Sequence, residues 1–137
     1  MNCRLATIDD IDNIYKIDTV ATDVRLNEIT HWVKQNDCFI LEKNQEILAY
    51  GVINTHFFGY GFIELLMVNN QYRRQGLGLI LINQLIKKSP TAKVFTSTNK
   101  SNTATQQLLI KTGFIPSGCI ENIDDNDPEL IYCYIAR

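Results

Sequence analysis

The sequence predicts an α/β fold on a mixed central sheet. Three observations carry that reading. Strand-like runs alternate with apolar patterns of helical length, two early strands are joined by a short polar turn, and a later strand passes through a glycine turn straight into a strongly apolar helix. At 137 residues the chain has the length of one domain, residues 1–137, large enough to bury a core without disulfide or metal staples.

Residues 2–7 alternate loosely and read as a first strand. Thr7 or Asp9 can cap a helix whose apolar positions Ile8, Ile11, Ile14 and Ile17 form an i, i+3 stripe, with Asp9, Asp10 and Asp12 where the helix dipole favours acids. After a polar break at 19–23, Leu26, Ile29, Trp32 and Val33 mark one face of a second helix. Residues 38–41 and 47–54 read as hairpin strands about a turn at 43–46. Residues 57–61 form an aromatic loop with two glycines, and 62–68 the next strand.

The apolar residues Leu77, Leu79, Ile80, Leu81, Ile82, Leu85 and Ile86 wrap most of a helix, so that helix is buried on several sides. It ends at Lys87-Lys88-Ser89-Pro90, with lysines at the negative end of the dipole and a proline that cannot continue it. Residues 94–98 are the next strand. Asn102 caps a helix running to Thr112, which Gly113 ends, and a strand starts at Phe114-Ile115. The acidic stretch 121–129 reads as a connection into a last strand at 130–135.

Composition narrows the function. A net charge of −2 lacks the basic excess of a sequence-independent nucleic-acid binder, so no nucleic-acid partner is expected. No run reaches the roughly 18 apolar residues of a membrane span, so no membrane partner is expected. The start, Met1-Asn2-Cys3-Arg4, has no charged-then-apolar secretory layout, and the four scattered cysteines read as thiols of a reducing cytoplasm. No CxxC pair or histidine at ligand spacing is present, so no metal is expected.

The informative stretch is Leu66-Met67-Val68, two asparagines, Gln71-Tyr72, then Arg73-Arg74-Gln75-Gly76-Leu77-Gly78-Leu79. Strand, glycine turn and helix start bring main-chain N–H groups together at the positive end of a helix dipole, which suits a pyrophosphate. Glycines at 76 and 78 let an anion approach the main chain, and two arginines add charge. The pattern is neither a Walker loop nor a three-glycine dinucleotide fingerprint.

The turn, R-x-x-G-x-G over Arg73 to Gly78, resembles the acetyl-CoA signature of the GNAT superfamily of N-acetyltransferases. The stretch from Asn102 through Thr105, Leu108 and Lys111 to Gly113-Phe114 is similar to that family's second conserved helix, and the match in order and spacing covers almost the whole chain. The resemblance implies a mixed, mostly antiparallel sheet splayed between its fourth and fifth strands and flanked by about four helices. It also implies a β-bulge near Leu66 to Val68 that frees main-chain groups for the pantetheine amides. Acetyl-CoA is the implied cofactor, held by Leu66, Met67, Val68, Arg73, Arg74, Gln75, Gly76, Leu77, Gly78, Leu79, Asn102 and Thr105. The implied acceptor is a small-molecule or peptide amine, and a homodimer through sheet edges is expected.

Acetyl transfer to nitrogen needs a neutral amine, whereas an alkylammonium with a pKa of about 10.4 is charged at neutral pH. Glu64, an acid in an otherwise apolar strand, is the candidate base. Period 2 puts it on the face of Leu66 and Val68, where desolvation would tune it; the alternative is an ion pair with a surface lysine. Many members of the family use a tyrosine four residues before the Gly-Phe pair as acid, but that position here is Leu109. Tyr134 is the first replacement, with Tyr132 and Tyr60 behind it, or water protonates the thiolate. The departure leaves two further readings open: an acyl-CoA sensor without turnover, and an interaction module whose glycine turn is only structural. The acidic residues Glu121, Asp124, Asp125, Asp127 and Glu129 and the aromatics 57–60 could each flank an acceptor, and His56 is a second base candidate; solvated or packed roles are the alternatives.

Overall fold

A chain that alternates β-branched runs with amphipathic segments assembles here into a seven-stranded sheet carrying four α-helices. The computed structural model describes residues 1–136. In chain order the elements are β1 (Asn2–Leu5), a 3-10 turn (Ile8–Asp10), α1 (Ile11–Ile17), α2 (Asp23–Lys34), β2 (Cys38–Lys43), β3 (Glu46–Phe57) and β4 (Tyr60–Val68). A second 3-10 turn (Asn70–Tyr72), α3 (Leu77–Lys88), β5 (Lys93–Asn99), α4 (Thr103–Thr112), β6 (Ile115–Asp124) and β7 (Asp127–Ile135) follow. The strand order is β1-β2-β3-β4-β5-β7-β6. The β1–β2, β2–β3, β5–β7 and β6–β7 pairs are antiparallel, and β4–β5 is parallel at Gly61↔Val94, Phe62↔Phe95 and Ile63↔Thr96. A parallel step needs a crossover, and α3 lies in it. No helix among the described residues is long and apolar enough to cross a membrane.

The chain forms two compact units. The first comprises residues 1–53 and 65–87. Its centre is β3, where every position from Ile47 to Ile53 is buried. The continuous apolar run follows from burial on both faces. Tyr50 and Val52 pack with Ile14 of α1 and Ile29, Trp32 and Val33 of α2. Between them Gly51 faces α3, and a Cβ there would stand 2.6 Å from Leu85 Cδ1 and 3.3 Å from Leu81 Cδ2. Glycine thus lets the apolar helix lie close against the strand.

The predicted first helix divides in two. Asp10 accepts hydrogen bonds from the Thr7 N–H at 2.7 Å and from Arg4 at 2.9 Å, which fixes a tight 3-10 turn before α1. Ile8 therefore leaves the stripe and is 67% exposed, while Ile14 is fully buried. Thr22 caps α2, its hydroxyl oxygen accepting from the Arg25 N–H at 3.1 Å.

One charged group is buried in this unit. The Asp18 carboxylate accepts from the Tyr50 hydroxyl, from Arg25 Nη1 at 2.7 Å and from the Val20 N–H at 2.8 Å. Burial pushes Asp18 up, but these three donors outweigh it and hold the carboxyl below its ordinary range. The network fastens the α1–α2 connection to β3.

The second unit comprises residues 54–64 and the chain from Lys88 onward. Asn102 caps α4 through Oδ1, which accepts the Thr105 N–H at 3.1 Å, and Gly113 closes the helix at φ 107°. Two predicted loops are strands instead. The aromatic stretch 57–61 is a hairpin with Phe58 (φ 53°) and Gly59 (φ 82°) at its tip. The acidic stretch 121–129 is mostly hairpin too: β6 runs to Asp124 and β7 starts at Asp127. Its acids are partly in structural use, since Asp127 accepts from the Ser101 hydroxyl at 2.6 Å and Asp124 from Asn99 at 2.8 Å. Acidic side chains masked the strand because β6 is an edge with all ten residues exposed, so no apolar alternation was needed.

Candidate functional site

The glycine turn belongs to the first unit. β4 ends at Val68, and Asn69 turns the chain: its side chain accepts the Gln71 N–H at 3.1 Å and donates to Ile47 O at 3.1 Å. Beyond the short 3-10 turn, Arg74 takes φ 65° and Gly76 φ 73°, two left-handed residues within three positions. A left-handed arginine is uncommon, and strained main chain of this kind gathers at ligand clamps. The first α3 bond runs from the Ile80 N–H to Gly76 O at 3.2 Å. The N–H groups of Gly76, Leu77, Gly78 and Leu79 therefore have no intrahelical acceptor and lie at the positive end of the dipole.

Among the described residues, its two chain neighbours aside, none comes within 4 Å of the place a Cβ would take on Gly76. Arg73, Arg74, Gln75 and Gly76 are exposed, and the helix they lead into is anchored by the buried Leu77, Leu81, Ile82 and Leu85. A helix anchored in the core thus presents a row of donors at an open surface, an arrangement suited to an anion.

The same strand offers Leu66 and Val68, half-buried, and Met67, whose side chain lies in the core and receives a contact from the Thr19 hydroxyl at 3.7 Å. Met67 can therefore serve a ligand only through its main chain.

The other candidates belong to the second unit. Glu64 is exposed and accepts a 2.7 Å hydrogen bond from Asn54 Nδ2. The exposure is not the expected desolvation, and the partner is an amide. Asn54 is buried, and its own Oδ1 accepts the His56 N–H at 2.9 Å, which sets the amide so that its N–H₂ points to Glu64. Sequence reasoning missed Asn54, although a lone amide in an apolar strand is the same kind of signal that singled out Glu64.

Register places Tyr134 away from Glu64. Ile63 pairs with Thr96, and Val94 and Thr96 pair with Tyr134 and Tyr132, so these five share one sheet face. Glu64 follows Ile63 and shares the opposite face with Phe62 and Phe95. Tyr134 packs on Phe114 with ring centroids 5.6 Å apart, and Tyr132 is buried. Leu109, at the usual acid position, is fully buried and puts no hydroxyl there. Asn102 is exposed with Oδ1 occupied by the α4 cap, and Thr105 is half-buried. His31 is an exposed position of α2, and His56 is exposed on β3.

The described residues thus form a mixed sheet with a parallel β4–β5 step, crossed over through a helix that starts at an open glycine turn. The sequence model of the acetyltransferase (GNAT) family matches residues 8–114, and the chain belongs to that family. It is similar to a GNAT-family acetyltransferase structure from Bacillus cereus ATCC 10987 at 36% identity, with 99% of this chain and 97% of that one covered and a TM-score of 0.92. The fold also matches the ribosomal-protein-alanine N-acetyltransferase of Brucella melitensis at 18% identity, covering 98% and 99% of the two chains, with a TM-score of 0.82. An acetyltransferase from Bacillus anthracis str. Ames, crystallised in complex with acetyl coenzyme A, matches at 20% identity over 73% of this chain and 62% of that one, with a TM-score of 0.64. No curated protein matches the chain.

Proposed function

We propose that residues 1–137 form one N-acetyltransferase domain that moves the acetyl group of acetyl-CoA to a primary amine of a small molecule or peptide. The observation that carries this reading is the open, left-handed Gly76 at the start of α3, with four unpartnered N–H groups behind it. Those groups take the pyrophosphate, Arg73 and Arg74 add charge, and the amides of pantetheine pair with the main chain of Leu66, Met67 and Val68.

The neutral amine nitrogen attacks the thioester carbonyl carbon, and a C–N bond forms as the carbonyl becomes a tetrahedral oxyanion. Collapse breaks the C–S bond. Glu64 accepts the proton lost by nitrogen, and the departing thiolate takes one from Tyr134 or water. Glu64 and Tyr134 lie on opposite faces of the sheet, so water is the alternative proton donor to the thiolate.

Calorimetric titration with acetyl-CoA tests the proposal: binding that weakens as salt is raised supports it, and absence of heat and of any thermal shift contradicts it. The buried Leu109 favours a second reading, an acyl-CoA sensor with little turnover. Steady thiol release with any of a panel of amines eliminates the sensor. We further propose a cytoplasmic protein that pairs with its own copy through the exposed edge of β6, where Ile115, Ile120 and Ile123 face solvent. Light scattering that shows a monomer at high concentration refutes the pairing.

A further inference from the structure

The sheet face that carries Glu64 also carries an aromatic patch, all of it within the second unit. Phe57 and Phe62 stack with centroids 5.1 Å apart, and Phe57 lies 5.0 Å from Phe95. Phe58 meets Phe57 edge-on at 5.1 Å and is itself 87% exposed. Phe62 stands two residues before Glu64 on the same strand, so the ring and the carboxylate are neighbours about 7 Å apart along one face. The burial pattern of β4 keeps that face open: Tyr60 and Glu64 are exposed and Phe62 half-buried, while Gly61 and Ile63 are buried.

A second observation concerns the hairpin tip. Phe58 occupies a left-handed position, φ 53°, where asparagine or glycine would relieve strain. Strain kept to hold a large apolar ring in solvent points to a role for that ring. The neighbouring Tyr60 ring is already covered by the Lys93 ammonium, 5.9 Å from its centroid, which leaves the phenylalanines as the open apolar surface.

We propose that this patch selects the acceptor: a primary amine whose nitrogen is separated from an aromatic ring by a short alkyl spacer, an arylalkylamine. The ammonium meets Glu64 and the ring lies on Phe62 and Phe57, with Phe58 closing over it. Charge and apolar surface are then matched at both ends of one small molecule. A polyamine would match only the carboxylate. This inference rests on Glu64 as the proton acceptor, and its test separates the two.

The experiment measures thiol release with 2-phenylethylamine, n-butylamine and spermidine, and NMR saturation transfer from the protein to the phenyl protons of 2-phenylethylamine. The expected result is a kcat/KM for phenylethylamine at least about tenfold above that for butylamine. Phe58→Ala, at the exposed tip, and the conservative Phe62→Leu should each erase most of that ratio, lowering kcat/KM for phenylethylamine far more than for butylamine. Glu64→Gln should keep phenyl saturation transfer while losing turnover. If Glu64→Gln turns over normally but the ratio stands, the base assignment fails and the patch survives. Equal kcat/KM for the three amines, absence of phenyl saturation transfer, or variants that slow all amines alike overturns the inference.

Discussion

Asn54 donates its side-chain N–H₂ to Glu64 Oε2 at 2.7 Å while its Oδ1 is held by the His56 N–H at 2.9 Å. The amide cannot rotate without breaking one of the two bonds, so it fixes one oxygen of the carboxylate and leaves the other available. On the proposed mechanism Glu64→Gln lowers kcat about 100-fold or more, with acetyl-CoA affinity unchanged. Asn54→Leu lowers it less, and the double variant is no worse than Glu64→Gln, because Asn54 acts only through Glu64. Steady-state kinetics on the four proteins checks this; fully additive losses contradict it.

The Asp18 network predicts a stability effect far from any chemistry. Removing Asp18 leaves Arg25 without its buried partner, so Asp18→Ala should cost about 3 kcal/mol or more, and Tyr50→Phe about 2 kcal/mol through one lost bond to a charged group. Urea melts at neutral pH measure both. A change under about 1 kcal/mol for Asp18→Ala would show that the network contributes little.

Acid should unfold the protein through the same first unit. Arg4 above all, with the Thr7 N–H and hydroxyl, brings Asp10 from an ordinary 3.8 down to about 2. Asp18 is also lowered. A carboxyl lowered by folding contributes stability that is fully present above its unfolded value and lost as pH falls through the folded one. Stability from these two groups should therefore hold down to about pH 5 and fall between about pH 4 and 2. Arg4→Met, which releases Asp10, should be less stable at pH 7 yet lose less on acidification.

Thiol chemistry distinguishes the cysteines. Burial, followed by the nearby Asp10 and Asp37 charges, pushes Cys38 up to about 12, whereas Cys119 is exposed on the edge strand β6. An aromatic disulfide reagent should label Cys119 within minutes and Cys38 only on unfolding. Rapid labelling of Cys38 in the folded protein would show that the α2–β2 core opens readily.

Much of this fold was legible because each long element carries a local signal. The Asn102 cap and the Gly113 stop frame α4 as the spacing predicts, and Pro90 and two lysines mark the end of α3. What escaped was set by context. Ile8 sits in a helical stripe, but the Arg4 and Thr7 bonds to Asp10 tighten the turn and expel it. β6 lacks alternation because all ten of its residues are exposed, so neither face had a core to encode. The turn at Arg73 to Gly78 was readable from type and spacing alone; Asn54 carries a signal as an amide in an apolar strand, but its pairing with Glu64 depends on a cross-strand neighbour. The opposed faces of Glu64 and Tyr134 likewise emerge only from the β4–β5–β7 register.

On the proposed function, the N–H groups at the start of α3 hold the pyrophosphate. The direct test follows main-chain amide resonances by NMR during titration with CoA, for the native protein and for Gly76→Asp, which brings a carboxylate into open space beside those donors. The account predicts that the amides of Gly76, Leu77, Gly78 and Leu79 move furthest in the native protein, and that the substitution abolishes the response while the protein stays folded. Saturable CoA binding that leaves those four amides unmoved, or that survives Gly76→Asp undiminished, would contradict it.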